Sequence, residues 1–303
     1  MRAIAEAPGK VIITGEHFVV HGSKALAAAI GRGTRAKAEP SDKTTIVSES
    51  LGVGATLPDH VPEKIRPLAE ALKTFMDRFG ERRGVRITLE HNIPLYSGLG
   101  SSASTAVAII ASASKALGYD LTKQEIYDLA MVSERMVHKS PSGIDVYVAI
   151  EGGVVLFERG VEPERVNLSR EVELVIGCTG VERDTGEMIR RVSERRDLQP
   201  NLFEALTRSS SRLSVCAASA LREGDMETLG YILNFYQAVL SWLGLTIPVI
   251  DRMVEEALAL GCYGAKLTGA GGGGSIIAIP RKGEGDGVAN ALSRIGSEGF
   301  CTT

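Results

Sequence analysis

The stretch PLYSGLGSSAS, Pro94 to Ser104, decides how this chain is read. It follows a β-branched run, Val85 to Glu90, and opens an apolar-rich segment, Ser101 to Leu117, that reads as a helix. A glycine turn leading into a helix N-terminus leaves the first amides, those of Ser101, Ser102 and Ala103, free to converge on an anion. Two consecutive serines add hydroxyls for phosphate or magnesium. The plain alternative is a Gly-containing turn with a serine cap. Gly98-x-Gly100-x-x-Ala103 also fits the loose dinucleotide fingerprint, with Asp120 downstream. Asp120, however, lies in GYDLT after a helix, badly placed to take a ribose hydroxyl.

Working outward, the chain has 303 residues, which predicts about two domains. Lys+Arg 34 against Asp+Glu 37 leaves a net charge of −3, with no electrostatic footprint for nucleic acid or an anionic membrane. No apolar run reaches the 18 or so residues of a membrane span, and Glu6 and Pro8 interrupt any leader-like start. Cys178, Cys216, Cys262 and Cys301 are too widely spaced for a C-x-x-C pair, so free thiols in a reducing cytoplasm are expected. Glycine is the outlier: 34 residues, about 11% against a usual ~7%, which makes its clustering informative.

Strands are predicted around Ile4 to Glu6, Val11 to Thr14, Thr34 to Ala38, Thr45 to Ser48 and Val85 to Glu90, with a loop bearing Gly52, Gly54, Pro58 and Pro62. A helix ends near Phe79, and another spans Thr122 to Val137, opened by the capping-box pair Thr122 and Glu125. After a strand at Val154 to Glu158, the polar run ERGVEPERVNLSRE reads as a linker, placing domains at 1–165 and 166–303. The second half reads as strand (Val172 to Ile176), several helices, strands at Ala265 to Thr268 and Ser275 to Ile279, and a helix near Gly287 to Ile295. Strands split by helices without regular alternation predict an α+β fold.

Two further glycine segments stand out, APGKVIITGEH (Ala7 to His17) and KLTGAGGGGS (Lys266 to Ser275). The latter precedes the strand SIIAI rather than a helix, which excludes a Rossmann loop. Its glycine run fits a backbone that approaches a ligand or another backbone closely, or else a flexible hairpin. Gly9-Lys10 lacks the upstream glycine of a P-loop, and the protein-kinase H-R-D and D-F-G signatures are absent. In SERMVHKSPSGIDVYV, Glu134 stands near a helix end and Asp145 follows the turn Pro141-Ser142-Gly143. Each acid alone, like Lys10 alone, also fits an ordinary solvated surface.

Taken in order, these three segments resemble the GHMP small-molecule kinases over nearly the whole chain. APGKVIITGEHFVVHG, ERMVHKSPSGIDVYV and KLTGAGGGGS are most similar to the mevalonate kinases within that family. Lys139-Ser140 departs from the pair that many members carry before the PSG turn. The resemblance implies a two-domain α+β fold, with an N-terminal domain like ribosomal protein S5 domain 2 and a ferredoxin-like C-terminal domain. It implies a magnesium-dependent transfer of the ATP γ-phosphoryl to the 5-hydroxyl of mevalonate. Pro94, Gly98, Leu99, Gly100, Ser101, Ser102 and Ala103 would hold the ATP phosphates, and Ser102 and Glu134 the metal. Asp145 would be the general base, or the group that orients the hydroxyl, with Lys10 beside it. Glu16, His17, Arg183, Thr185 and Gly271 would serve the substrate. His17 is equally well read as a histidine satisfied by backbone. Within the family, a phosphomevalonate kinase or mevalonate 3-kinase is the competing reading. Outside enzymes, the competitor is a catalytically silent ligand sensor, which would be expected to lose one of Lys10, Ser102, Glu134 or Asp145. Monomer and homodimer both remain open.

Overall fold

A computed structural model of the chain describes residues 1–48, 52–94, 96–137, 141–182 and 184–303. Arg183, Lys139 and Ser140, named above, lie outside the described residues. Compactness divides the chain into two units: Met1–Lys10, Gly31–Ile93 and Gly100–Gly152 form the first, and Val11–Ile30, Pro94–Leu99 and Gly153–Thr303 the second. The units interleave in sequence, unlike the contiguous halves expected from the polar linker, because two long strands each contribute one end to each unit. These are β1 (Ala3–Thr14) and β2 (Ala25–Ser41).

In the first unit β2 pairs with β5 (Gly84–His91), which runs parallel to β3 (Thr44–Ser48); β4 (Val53–Leu57) closes that edge. Three helices cover the sheet residues: α1 (Arg66–Arg78), α2 (Ser101–Leu117) and α3 (Lys123–Val137), with the short α4 (Ile144–Glu151) following. The predicted capping box is present: Thr122 N and Oγ1 each donate to Glu125 Oε2 at 2.9 Å, and Glu125 N donates back to Thr122 Oγ1 at 3.2 Å. α2 is buried on almost every side and is built largely from Ala and Ser, so neighbours approach it closely; Ile109 and Ala113 pack into a core with Leu72, Phe75 and Ile87. Each fully buried Leu, Ile or Phe of this kind stabilises the fold by about 1.5–3 kcal/mol. Ser104 Oγ, on the inner face of α2, donates to Ala7 O at 2.7 Å and accepts from Thr34 N at 3.0 Å, which ties the helix to β1 and β2.

In the second unit the start of β2 pairs with β6 (Val154–Phe157), and β6 with β7 (Glu164–Val166). β7 falls inside the run read as a linker; its burial pattern shows why, since of its three residues only Val166 is buried. A separate antiparallel sheet has the order β11-β8-β10-β9, from β8 (Leu174–Cys178), β9 (Gly264–Thr268), β10 (Ser275–Ile279) and β11 (Glu298–Thr302). Helices α5 (Thr185–Leu198), α6 (Pro200–Glu223), α7 (Met226–Trp242) and α8 (Pro248–Ala259) connect β8 to β9, and α9 (Gly285–Ile295) connects β10 to β11. Strand–helix–strand, strand–helix–strand in that order is the ferredoxin-like arrangement the resemblance implied. Its core gathers Val175, Leu267 and Ile276 with Ile250, Met253 and Leu292. Among the described residues, no helix is long and apolar enough to cross a membrane.

Candidate active site

The share of β1 that belongs to the first unit ends at Lys10, whose side chain is nearly buried; Lys10 Nζ lies 3.1 Å from Asp145 Oδ1. The aspartate arrives at the first turn of α4, as the PSG turn predicted. Gly143 holds φ +89°, and a Cβ there would stand 2.1 Å from Tyr127 Oη on α3. Only glycine lets the turn pass that phenol, and so place Asp145. Gly143→Ala is therefore expected to cost about 1–3 kcal/mol of stability, read as a lower denaturant midpoint, and to reduce turnover with it.

α2 begins beside this pair. Gly100, at φ +76°, precedes Ser101, and a Cβ on it would meet Lys10 Cγ at 3.0 Å, so the glycine turn and the lysine are fitted to each other. No side chain among the described residues caps the first turn of α2, which leaves its amides and the positive end of the helix dipole available to an anion. Ser102 Oγ donates to Glu134 Oε1 at 2.6 Å, and Glu134 is 3% exposed. Burial pushes the Glu134 carboxyl up to about 7; the Ser102 hydrogen bond opposes that shift, the charge of Asp145 adds to it and that of Lys10 offsets it. Lys10, Asp145, Ser102 and Glu134 thus sense one another as one cluster.

A buried carboxylate beside a hydroxyl is a hard-oxygen pair, and burial makes its anionic form favour a divalent cation. No group of three or more His, Cys, Asp or Glu among the described residues could hold a metal by itself. The pair suits an ion such as magnesium, which takes one or two protein oxygens and completes its shell with water and phosphate.

The second unit holds most of the other predicted residues that are described. Pro94, Gly98 and Leu99 belong to it, whereas Gly100 to Ala103 belong to the first. Ser97 Oγ donates to Pro94 O at 2.7 Å, and Ser275 Oγ donates to Ser97 O at 2.8 Å, so the stretch before α2 is held by the residue that ends the glycine run. Glu16 is buried and paired with Lys266. His17 Nε2 is 2.9 Å from Ala270 O, and its backbone sits at φ 57°, ψ −40°, rarely adopted outside glycine. Gly271 lies against Leu245, where a Cβ would meet the carbonyl oxygen at 2.5 Å; this close approach accounts for its lack of a side chain. Thr185 is the first residue of α5, next to the capping Asp184, whose Oδ1 accepts from Glu187 N at 3.0 Å. Tyr127 and Lys266 were not assigned roles from the sequence. Lys266 stands in the quoted glycine segment, but nothing in the letters shows that it is buried.

Known proteins supply the comparison. The model of the GHMP kinases N-terminal domain matches residues 66–153, and that of the GHMP kinases C-terminal region matches 217–298. The mevalonate kinase of Aeropyrum pernix is 37% identical, with 93% of this chain and 90% of that protein covered. That of Archaeoglobus fulgidus is 36% identical, covering 91% and 92%. The crystal structure of the Methanococcus jannaschii mevalonate kinase, 23% identical, superposes with a TM-score of 0.86 over 100% of this chain and 98% of that one, and shares the fold. With both family regions matched in order and identity above a third along nearly the full length, this chain belongs to the GHMP kinases, among the mevalonate kinases.

Proposed function

We propose that this chain transfers the γ-phosphoryl of ATP to the 5-hydroxyl of mevalonate, giving 5-phosphomevalonate and ADP. The observation that carries the reading is the Lys10–Asp145 pair at 3.1 Å, set beside the uncapped start of α2. Phosphoryl transfer needs the phosphates held, their charge offset, and the acceptor hydroxyl aligned and relieved of its proton. The amides of Ser101, Ser102 and Ala103 hold phosphate oxygens. Asp145 takes the hydroxyl proton as the new O–P bond forms and the bond to the ADP oxygen breaks. Lys10 pairs with Asp145 and steadies the charge on the transferring group. Glu16 and His17 serve the acceptor alcohol. Ser102 and Glu134 would hold magnesium, which when bound would neutralise phosphate charge. We place the enzyme in the cytoplasm.

Glu134 makes the metal requirement pH-dependent. The proton it holds in the cation-free protein must leave before a cation binds, so the half-saturating magnesium concentration is expected to rise as pH falls through about 7, by about tenfold per unit below it. The stability sign is the reverse. A carboxyl raised from 4.5 to about 7 on folding stabilises the cation-free protein below 4.5, and that contribution is lost as pH rises through about 7. Glu134→Gln is expected to raise the magnesium requirement and to abolish its pH slope; titrations of initial rate against magnesium at several pH values check both, and an unchanged requirement argues against ligation.

The test of the substrate is a coupled ADP-release assay over mevalonate, mevalonate 5-phosphate, galactose and homoserine. Mevalonate is expected to dominate. A clear preference for mevalonate 5-phosphate would move the chain to the phosphomevalonate kinases.

A further inference from the structure

Lys266, on β9, is one of the largest fully buried side chains in the protein, and Glu16, its partner, is as deeply enclosed. A buried lysine–glutamate pair is an expensive way to fill a core. Removing two charges from water costs several kcal/mol per ion, and apolar residues of similar volume often do as well. The pair therefore calls for a reason other than stability.

Its geometry supplies one. The ammonium has three N–H donors, and acceptors among the described residues match them: Glu16 Oε1, Ile12 O at 3.3 Å and Leu267 O at 2.6 Å. A cation so engaged has no donor to spare for a substrate; it acts on the chain around it. The same two segments are joined again two residues on. Ile12 N donates to Thr268 Oγ1 at 2.8 Å, and Thr268 Oγ1 donates to Ile12 O at 3.0 Å. His17 Nε2 meets Ala270 O at 2.9 Å. Residues 266–270 thus hold residues 12–17 at both ends, all within the second unit. At the second of these ends the His17 backbone sits in its sparsely populated conformation, which persists only where the surroundings over-determine it.

We propose that Lys266 is a positioning residue. Its ammonium fixes the direction of the Glu16 side chain, and with it the Gly15-Glu16-His17 turn that receives the acceptor alcohol, without itself touching substrate. The proposal rests on the reading of Glu16 and His17 as substrate residues.

A mutant cycle of Glu16→Gln, Lys266→Met and the double variant tests it, with KM for mevalonate, KM for ATP and thermal unfolding measured on each. Lys266→Met is expected to raise KM for mevalonate by about 10–100-fold, the scale on which losing the partner of a functional group is felt. KM for ATP should stay within about twofold. That single variant leaves Glu16 buried without its cation and should unfold earlier. The double variant, neutral at both positions, should regain thermal stability, so its kinetics are read on a folded protein. Its KM for mevalonate should match that of Glu16→Gln alone, because Lys266 acts through Glu16. Effects that multiply in the double variant, or a double variant with wild-type KM, would overturn the proposal, as would equal losses for ATP and mevalonate. Failure of the wild type to use mevalonate would instead defeat the substrate assignment, and the cycle would then be run with the alcohol the wild type does phosphorylate.

Discussion

Asp145→Asn is expected to lower kcat by about 10²–10⁴ while leaving KM for ATP nearly unchanged, the range seen when a general base is lost. The amide is close in shape to the carboxylate, and its oxygen still accepts from Lys10 across the 3.1 Å contact, so the first turn of α4 keeps its place. What disappears is the capacity to take a proton from the acceptor hydroxyl. The prediction is read from steady-state kinetics at saturating magnesium, beside an unfolding curve that shows the variant intact. Turnover near that of the wild type would remove Asp145 from the mechanism.

Lys10→Met should reduce kcat by about 10²–10³, comparable with removal of one preorganised group that stabilises transition-state charge. Two effects add. The methionine leaves Asp145 without its cation, and it deletes the positive charge beside the uncapped start of α2. The stem that packs under Gly100 is largely replaced by the methionine side chain, so phosphate binding should suffer much less than the chemical step. Single-turnover measurements separate the two. A large rise in KM for ATP with unchanged kcat would make Lys10 an anchor for the nucleotide only.

How much of this was legible in the letters depends on the kind of signal each element carries. α2 and α3 were readable to within a residue, because their apolar spacing is sustained and Thr122 with Glu125 announces the start of the second. The first part of β2 was not, since Ala25 to Ile30 is mostly alanine, a helix former that lies in a strand here because β6 pairs with it. β4 was hidden behind Gly52, Gly54 and Pro58, and β11 behind a short Gly-bearing terminus. α4 was masked by the turn before it, although that turn correctly announced that Asp145 has a fixed seat. For the site, Lys10, Glu134 and Asp145 taken singly look like surface charges; only the family resemblance joined them, and the structure brings them together. Burial of Lys266 against Glu16 was beyond any local reading, as it depends on two strands far apart in sequence.

The most direct test of the central claim is the identity of the product. The wild-type enzyme is incubated with ATP, magnesium and mevalonate, and the phosphorylated position is determined by phosphorus and carbon NMR alongside ADP release. One 5-phosphomevalonate per ADP is predicted. Phosphate at the 3-position, or ADP formed only when mevalonate 5-phosphate is the acceptor, would contradict the account.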